Sequence, residues 1–215
     1  MIGAWLINWA GMELMPIFET PKGKVLFIHI PKTGGSTISG ELRLHHQVSM
    51  YTNSAWPGYN CSPQHLHGGP LRELFQPEAL AYVFTVVRHP VDRIFSEYNW
   101  NQRKRPIKMP FWLWLRAKLF QVRNSPYLDD NHLRPQEDFL CHNTEVFRLE
   151  DGLDKVFLRL SEVTGADYAE NPEIRKVTDV PSQPVAKVDR NLPSNPTWLQ
   201  GILGVLEDPL FDGLH

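Results

Sequence analysis

Residues 31–37, Pro-Lys-Thr-Gly-Gly-Ser-Thr, concentrate the groups that hold a phosphate. Gly34 and Gly35 carry no Cβ, so the backbone there can turn sharply and aim successive N–H groups at one anion. Ser36 and Thr37 add hydroxyl donors, and Lys32 adds a mobile full charge. The apolar run Val25 to Ile30 ahead of the turn predicts a buried strand, which Pro31 ends, and Ile38 to His46 continue a helix after it. Such a helix offers its free N–H groups and positive dipole end to the phosphate. In the common nucleotide loop, G-x-x-x-x-G-K-[ST], the lysine follows the glycines; here it precedes them.

Some fifty residues on, AYVFTVVRHPVDRIFSEYNW repeats the order of strand, Pro-containing turn and helix. Tyr82 to Val87 is the strand, Pro90 suits a helix start, and Val91, Ile94, Phe95 and Tyr98 follow with helical spacing. Arg88 therefore leaves the strand's carboxyl end, the edge where open α/β sheets bind ligands. Ser96 reaches that edge if its helix packs back across the site. Arg93 reads equally well as a ligand and as an ordinary helix-face charge or salt bridge, and Tyr98 as core. A hydroxyl acceptor would also need a base, for which imidazole, with a pKa of about 6.5, suits neutral pH. Of nine histidines, His65 and His67 in SPQHLHGGPL stand out, since this segment lies between the two phosphate motifs and begins in a loop. If the chain is extended there, the two point in opposite directions and only one can face the acceptor. His29, inside the first strand, reads as a core residue or one supporting the site from behind.

PKTGGST resembles the 5′-phosphosulfate loop of sulfotransferases that use 3′-phosphoadenosine 5′-phosphosulfate (PAPS). Arg88, Pro90, Arg93, Ser96 and Tyr98 resemble the segment with which the same superfamily binds the donor's 3′-phosphate. The S-P-Q-H-L segment looks like that of bacterial sulfotransferases related to carbohydrate 2-O-sulfotransferases. The resemblance spans roughly residues 24–165, including NHLRPQEDFL at 131–140. It implies PAPS as co-substrate without a metal, held by Pro31, Lys32, Thr33, Gly34, Gly35, Ser36, Thr37, Arg88, Ser96 and Arg93. It implies catalysis by Lys32 and the His65/His67 pair, with His65 favoured as base because the Q-H pair carries the closer likeness, and with His67 supporting it. Arg134 and His132 are further candidates for donor or acceptor contact, and Glu150 for orienting a neighbouring loop. The late R-K-G-x-x-G run of small-molecule sulfotransferases is missing; Lys187 and Arg190 are the candidates to replace it, and the carbohydrate-type branch is favoured.

The expected architecture is one three-layer α/β domain over 1–215, a central parallel sheet with the phosphate loop after its first strand. Residues 1–23 form an N-terminal arm and 170–196, with five prolines, a lid loop. Thr144 to Leu149 reads as a third strand, followed by a helix from Asp154 to Val163 with Gly165 near its end. Val48 to Tyr51 reads as a short strand, Leu66 to Phe75 as a short helix, and Trp198 to Leu206 as a closing helix. Phe111 to Phe120 is apolar at helical length, with its tryptophans assigned to the core or a groove wall.

With 22 Lys and Arg against 24 Asp and Glu, the chain carries no nucleic-acid footprint. Arg103, Lys104, Arg105 and Lys108 nevertheless cluster. Cys61 and Cys141 are too few for a disulfide framework and suit a reducing, cytoplasmic setting. The amino terminus is apolar but lacks a basic start, and Glu13 interrupts it, so no membrane span is expected. The expected acceptor is a hydroxyl of a glycan or small polar metabolite. Two other readings compete. A nucleoside triphosphate kinase would place an acidic magnesium ligand at a strand end, where this chain has Val86-Val87-Arg88. A non-catalytic binding protein of the same fold would tolerate loss of Lys32 or the histidine pair.

Overall fold

Two short apolar runs separated by Pro21-Lys22 build the first element of the fold. Ile17–Thr20 (β1) and Gly23–Ile28 (β2) pair antiparallel from Ile17 opposite Leu26 to Thr20 opposite Gly23. The Thr20 hydroxyl fastens the turn, donating to the Gly23 carbonyl at 2.7 Å and accepting from the Lys22 N–H at 3.2 Å. In this computed structural model, residues 17–49, 60–103, 105–125 and 127–168 are described. The expected lid, the closing helix, Lys187, Arg190 and residues 1–16 of the arm lie outside them.

The chain then runs through α1 (Gly35–His45), β3 (Gln47–Ser49), α2 (Gly68–Leu74), β4 (Tyr82–Val87), α3 (Pro90–Arg103), α4 (Phe111–Asn124), β5 (Glu145–Arg148) and α5 (Leu153–Thr164). The five strands lie in the order β3-β1-β2-β4-β5. β2, β4 and β5 are mutually parallel, whereas β1 pairs antiparallel with both β2 and β3. The sheet is thus mixed rather than wholly parallel. A two-residue turn can only return the chain antiparallel, since a parallel return needs a crossover of a dozen or more residues. Ile17–Thr20, expected within the arm, are accordingly a strand inside the sheet.

Both sheet faces are covered, which is why the central strands β2 and β4 read as near-continuous apolar runs instead of alternating. Val25, Phe27, Phe84 and Val86 face one side, where Ile38 and Leu42 of α1 and Val156, Phe157 and Leu160 of α5 close the core. Leu26, Ile28, Val83 and Val87 face the other, against Leu66, Leu71 and Phe139. Fully burying a side chain such as Phe27 or Phe84, which stack at 4.9 Å, stabilises by about 1.5–3 kcal/mol. A third cluster joins Ile94 of α3 to Trp114 and Leu115 of α4. Trp114 belongs to the core, but Trp112 is 54% exposed. α5 ends at Gly165, whose φ of +81° is the left-handed conformation that suits glycine and whose N–H reaches the Ser161 carbonyl.

Because β2, β4 and β5 run the same way, their carboxyl ends share one edge. The segments leaving it are His29–Gly34, Arg88–His89 and the 3₁₀ turn Leu149–Asp151.

Candidate active site

The phosphate-type turn is built by its own sequence. The Thr33 hydroxyl, fully buried, donates to the Ile30 carbonyl at 2.8 Å and folds the chain back on the strand end. Lys32 and Gly34 take φ of +70° and +85°, a left-handed pattern that turns backbone N–H groups toward one concavity. Gly34 then starts α1, its carbonyl receiving the N–H groups of Thr37 and Ile38. No side chain caps that helix start and its first turn has no acidic residue, so the N-terminus keeps its affinity for an anion. Gly35 is required by packing: a Cβ there would lie 2.1 Å from Nε2 of His29.

Arg88 is set from below. Fully buried Gln136 accepts the Arg88 N–H at 3.0 Å and donates to the Arg88 carbonyl at 2.9 Å, so its amide matches both main-chain groups. The Arg88 guanidinium reaches the Lys32 carbonyl at 3.4 Å, and the Lys32 ammonium sits 5.2 Å over the Trp100 ring. Glu150, in the turn after β5, accepts the His89 N–H at 2.7 Å and ties two of the edge loops together.

Three imidazoles stand edge to face beside this turn, His29 to His65 at 5.1 Å and His65 to His132 at 5.0 Å. Nδ1 of His65 is 2.7 Å from a carboxylate oxygen of Asp130, and Nδ1 of His132 is 2.6 Å from one of Glu97. Asp129, Asp130 and Asn131 all have φ between 50° and 64°. Asp and Asn tolerate that left-handed conformation better than most residues. The run lets Asp130 reach His65, Asn131 donate to the His65 carbonyl at 2.8 Å, and His132 reach Glu97.

Burial, reinforced by the neighbouring imidazoles, lowers the His29 pKa to about 3, so this ring is neutral. Burial also lowers that of His65, against the opposing pull of Asp130. Burial alone would raise the Asp130 pKa, but hydrogen bonds from His65 and from the Ser62 hydroxyl and N–H hold it at about 2. The pair is therefore a carboxylate and a neutral imidazole. A carboxylate can only accept, so Nδ1 carries the hydrogen and Nε2 keeps its lone pair.

A cleft of about 890 Å³ joins these groups, within the size range of ligand sites. Pro31, Lys32, Gly34, Gly35, Ser36, Thr37, His65, Arg88 and Ser96 line it, together with His29, Gln64, Asp92, Trp100, His132 and Glu150. Ser96 faces the cleft because α3 packs back over the sheet edge, the condition its distance from Arg88 imposed. Four expected residues do not line it, and one of them, Arg134, pairs with Asp138 at 3.1 Å and lies over the Tyr127 ring. Thr33 spends its hydroxyl inside the loop. Arg93 is a buried clamp, donating to the carbonyls of Pro31, His132 and Arg134 at 3.0, 3.0 and 2.9 Å. His67 precedes α2 and packs edge to face on Tyr127 at 5.7 Å, while the chain turns away after the short Pro63–His65 helix.

A family model described as the Sulfotransferase family matches residues 15–155. That span covers about two thirds of the chain and every residue lining the cleft, from His29 to Leu153. The chain belongs to the sulfotransferase family, and its chemistry is sulfuryl transfer to an acceptor substrate. Neither a curated protein nor a solved structure matches it. Among the described residues no cluster of His, Cys, Asp or Glu could hold a metal ion, and no helix is long and apolar enough to cross a membrane.

Proposed function

We propose that this enzyme moves the sulfuryl group of PAPS to an acceptor hydroxyl of a carbohydrate or small polar molecule, with His65 as general base. The observation that carries the reading is one cleft lined by the Lys32–Thr37 turn, by Arg88 and Ser96, and by an imidazole fixed by a carboxylate. A cradle with an uncapped helix start, two left-handed residues and a position where any Cβ would collide suits a phosphate-linked donor. PAPS when bound supplies the sulfuryl group, whose bond to the phosphate oxygen breaks as the acceptor oxygen bonds to sulfur.

The chain's own residues do the rest. Backbone N–H groups of the turn, with Ser36 and Thr37, hold the 5′ end, and Arg88 and Ser96 the 3′-phosphate. Lys32 stabilises charge gathering on the leaving phosphate, a preorganised electrostatic role. Nε2 of His65 takes the acceptor proton, while Asp130 fixes the tautomer and stabilises the imidazolium that forms. Buried free Cys61 and Cys141 support a reducing, cytoplasmic setting.

Adenosine 3′,5′-bisphosphate should raise the melting temperature while ATP with magnesium does not. Labelled PAPS, screened against sugar and small-molecule hydroxyl acceptors, should then give turnover. Stabilisation by ATP with magnesium alone would point to a nucleotide kinase and overturn the donor assignment. Bisphosphate binding without turnover on any acceptor would make the chain a binding protein.

A further inference from the structure

From Tyr98 to Leu128 the chain contains seven Lys and Arg residues and no Asp or Glu, although the whole chain is net −2. Within that run the sorting is spatial. α4 turns Trp114 and Leu115 into the core, and buried Lys118 pairs with Asp129. The opposite face carries Trp112, Leu113 and Phe120, 54%, 41% and 69% exposed, with exposed Arg116 and Arg123 among them. The segment leading into α4 adds Ile107, 84% exposed, beside exposed Arg103, Arg105 and Lys108.

We infer that this face of α4, with the segment before it, docks the enzyme on the surface of an anionic lipid bilayer. Single exposed apolar residues are ordinary; four large ones within fourteen residues, interleaved with cations and without one anion, are not. A helix lying in a membrane interface needs this composition: Trp, Phe and Leu enter the headgroup boundary while Arg side chains extend to the phosphates. Nucleic acid fits less well, because Leu113 and Phe120 on a convex helix face, with Ile107 just before it, give bases and phosphates little to bind, whereas a bilayer rewards their burial. Complementary charge selects the anionic surface, each nearby Lys or Arg strengthening binding about fivefold. Trp100 of α3, three residues before Arg103, lines the cleft. Vesicle binding needs neither donor nor acceptor, so it stands or falls apart from the proposed reaction.

The test is sedimentation of the full chain with neutral phosphatidylcholine vesicles and with vesicles containing phosphatidylglycerol, at low and high salt. Binding should require the anionic lipid and weaken with salt, and brominated lipid should quench a fluorescence component absent from Trp112→Phe. Arg116→Gln with Arg123→Gln should weaken binding about 25-fold, from the fivefold contribution of each, and Trp112→Ser with Phe120→Ser should abolish it. Unchanged circular dichroism melting would show that both variants fold. Equal binding to neutral vesicles, no quenching of Trp112, or full binding by both variants would overturn the inference. So would self-association that the same substitutions abolish, which would make the face a contact between copies.

Discussion

Replacing Asp130 by Asn tests the proposed base through an atom that touches no substrate. One Asp130 oxygen accepts the Ser62 N–H at 2.5 Å; the other accepts both His65 Nδ1 at 2.7 Å and the Ser62 hydroxyl at 2.6 Å. An asparagine must give one of those places to an NH₂ group. Facing the Ser62 N–H it would set donor against donor, whereas facing His65 it can donate, and the serine hydroxyl can turn to accept. The second orientation is therefore favoured, and it forces the hydrogen of His65 onto Nε2, where the base needs a lone pair. A correctly protonated general base is worth about 10²–10⁴-fold in rate, so kcat should fall by that much with adenosine 3′,5′-bisphosphate affinity intact. Single-turnover transfer from labelled PAPS reads the rate, and calorimetric titration the affinity. The variant should also lose the acid-side stability profile of the wild type. With a folded pKa of about 2 against an ordinary 3.8, Asp130 stabilises the fold above 3.8, and that contribution disappears as pH falls toward 2. A kcat within fivefold of wild type would remove the His65–Asp130 pair from the mechanism.

Four further outcomes are expected. In the wild type the acid limb of kcat should have its midpoint below 6.5, because burial favours neutral His65; His65→Ala should abolish turnover and His67→Ala retain it, and the reverse would exchange their roles. Lys32→Ala should slow the chemical step by ~10²-fold or more with smaller effect on product binding, and unchanged turnover would exclude it from the reaction. Arg88→Ala should weaken adenosine 3′,5′-bisphosphate by about 2–3 kcal/mol and Ser96→Ala by about 1 kcal/mol, with no comparable loss for a nucleotide lacking the 3′-phosphate. Gly68→Ala should lower the melting temperature without touching the cleft, because its Cβ would lie 2.0 Å from the Leu140 carbonyl oxygen, and overpacking of this kind costs about 1–3 kcal/mol; an unchanged melting curve would refute the steric argument.

What was legible in the sequence is what neighbouring residues determine. The strands at Val25 and Tyr82 announce themselves as apolar runs, the one at Thr144 by alternation, and the phosphate turn by glycines and hydroxyls in fixed order, because backbone geometry there is a local matter. β1 was hidden: IFET is four residues long and carries a charge, and its place between β3 and β2 follows from pairing rather than composition. The partners of the imidazoles were hidden for a related reason. Asp130 lies 65 residues from His65, and Glu97 lies 35 from His132. The consecutive Asp129-Asp130-Asn131 was the available signal for a left-handed run. Arg93 shows the converse, a charged residue in a motif whose donors are taken up by three main-chain carbonyls.

The mixed sheet sets the order in which the chain can become safe from aggregation during synthesis. β1 and β2 pair across at most nine positions, Ile17 with Leu26, so their hairpin can close in about 1–10 μs once it leaves the ribosome. The other edge of β2 has a parallel partner that begins 57 residues later, at Tyr82 opposite Val25. At about 5–20 residues per second, that partner is roughly 3–11 s away. Through this interval the apolar strand that carries the phosphate turn presents an unpaired edge, the kind of template on which a second nascent chain can add. Slowing translation between residues 28 and 82 should therefore lower soluble yield more than slowing it after residue 87, when β4 has closed that edge.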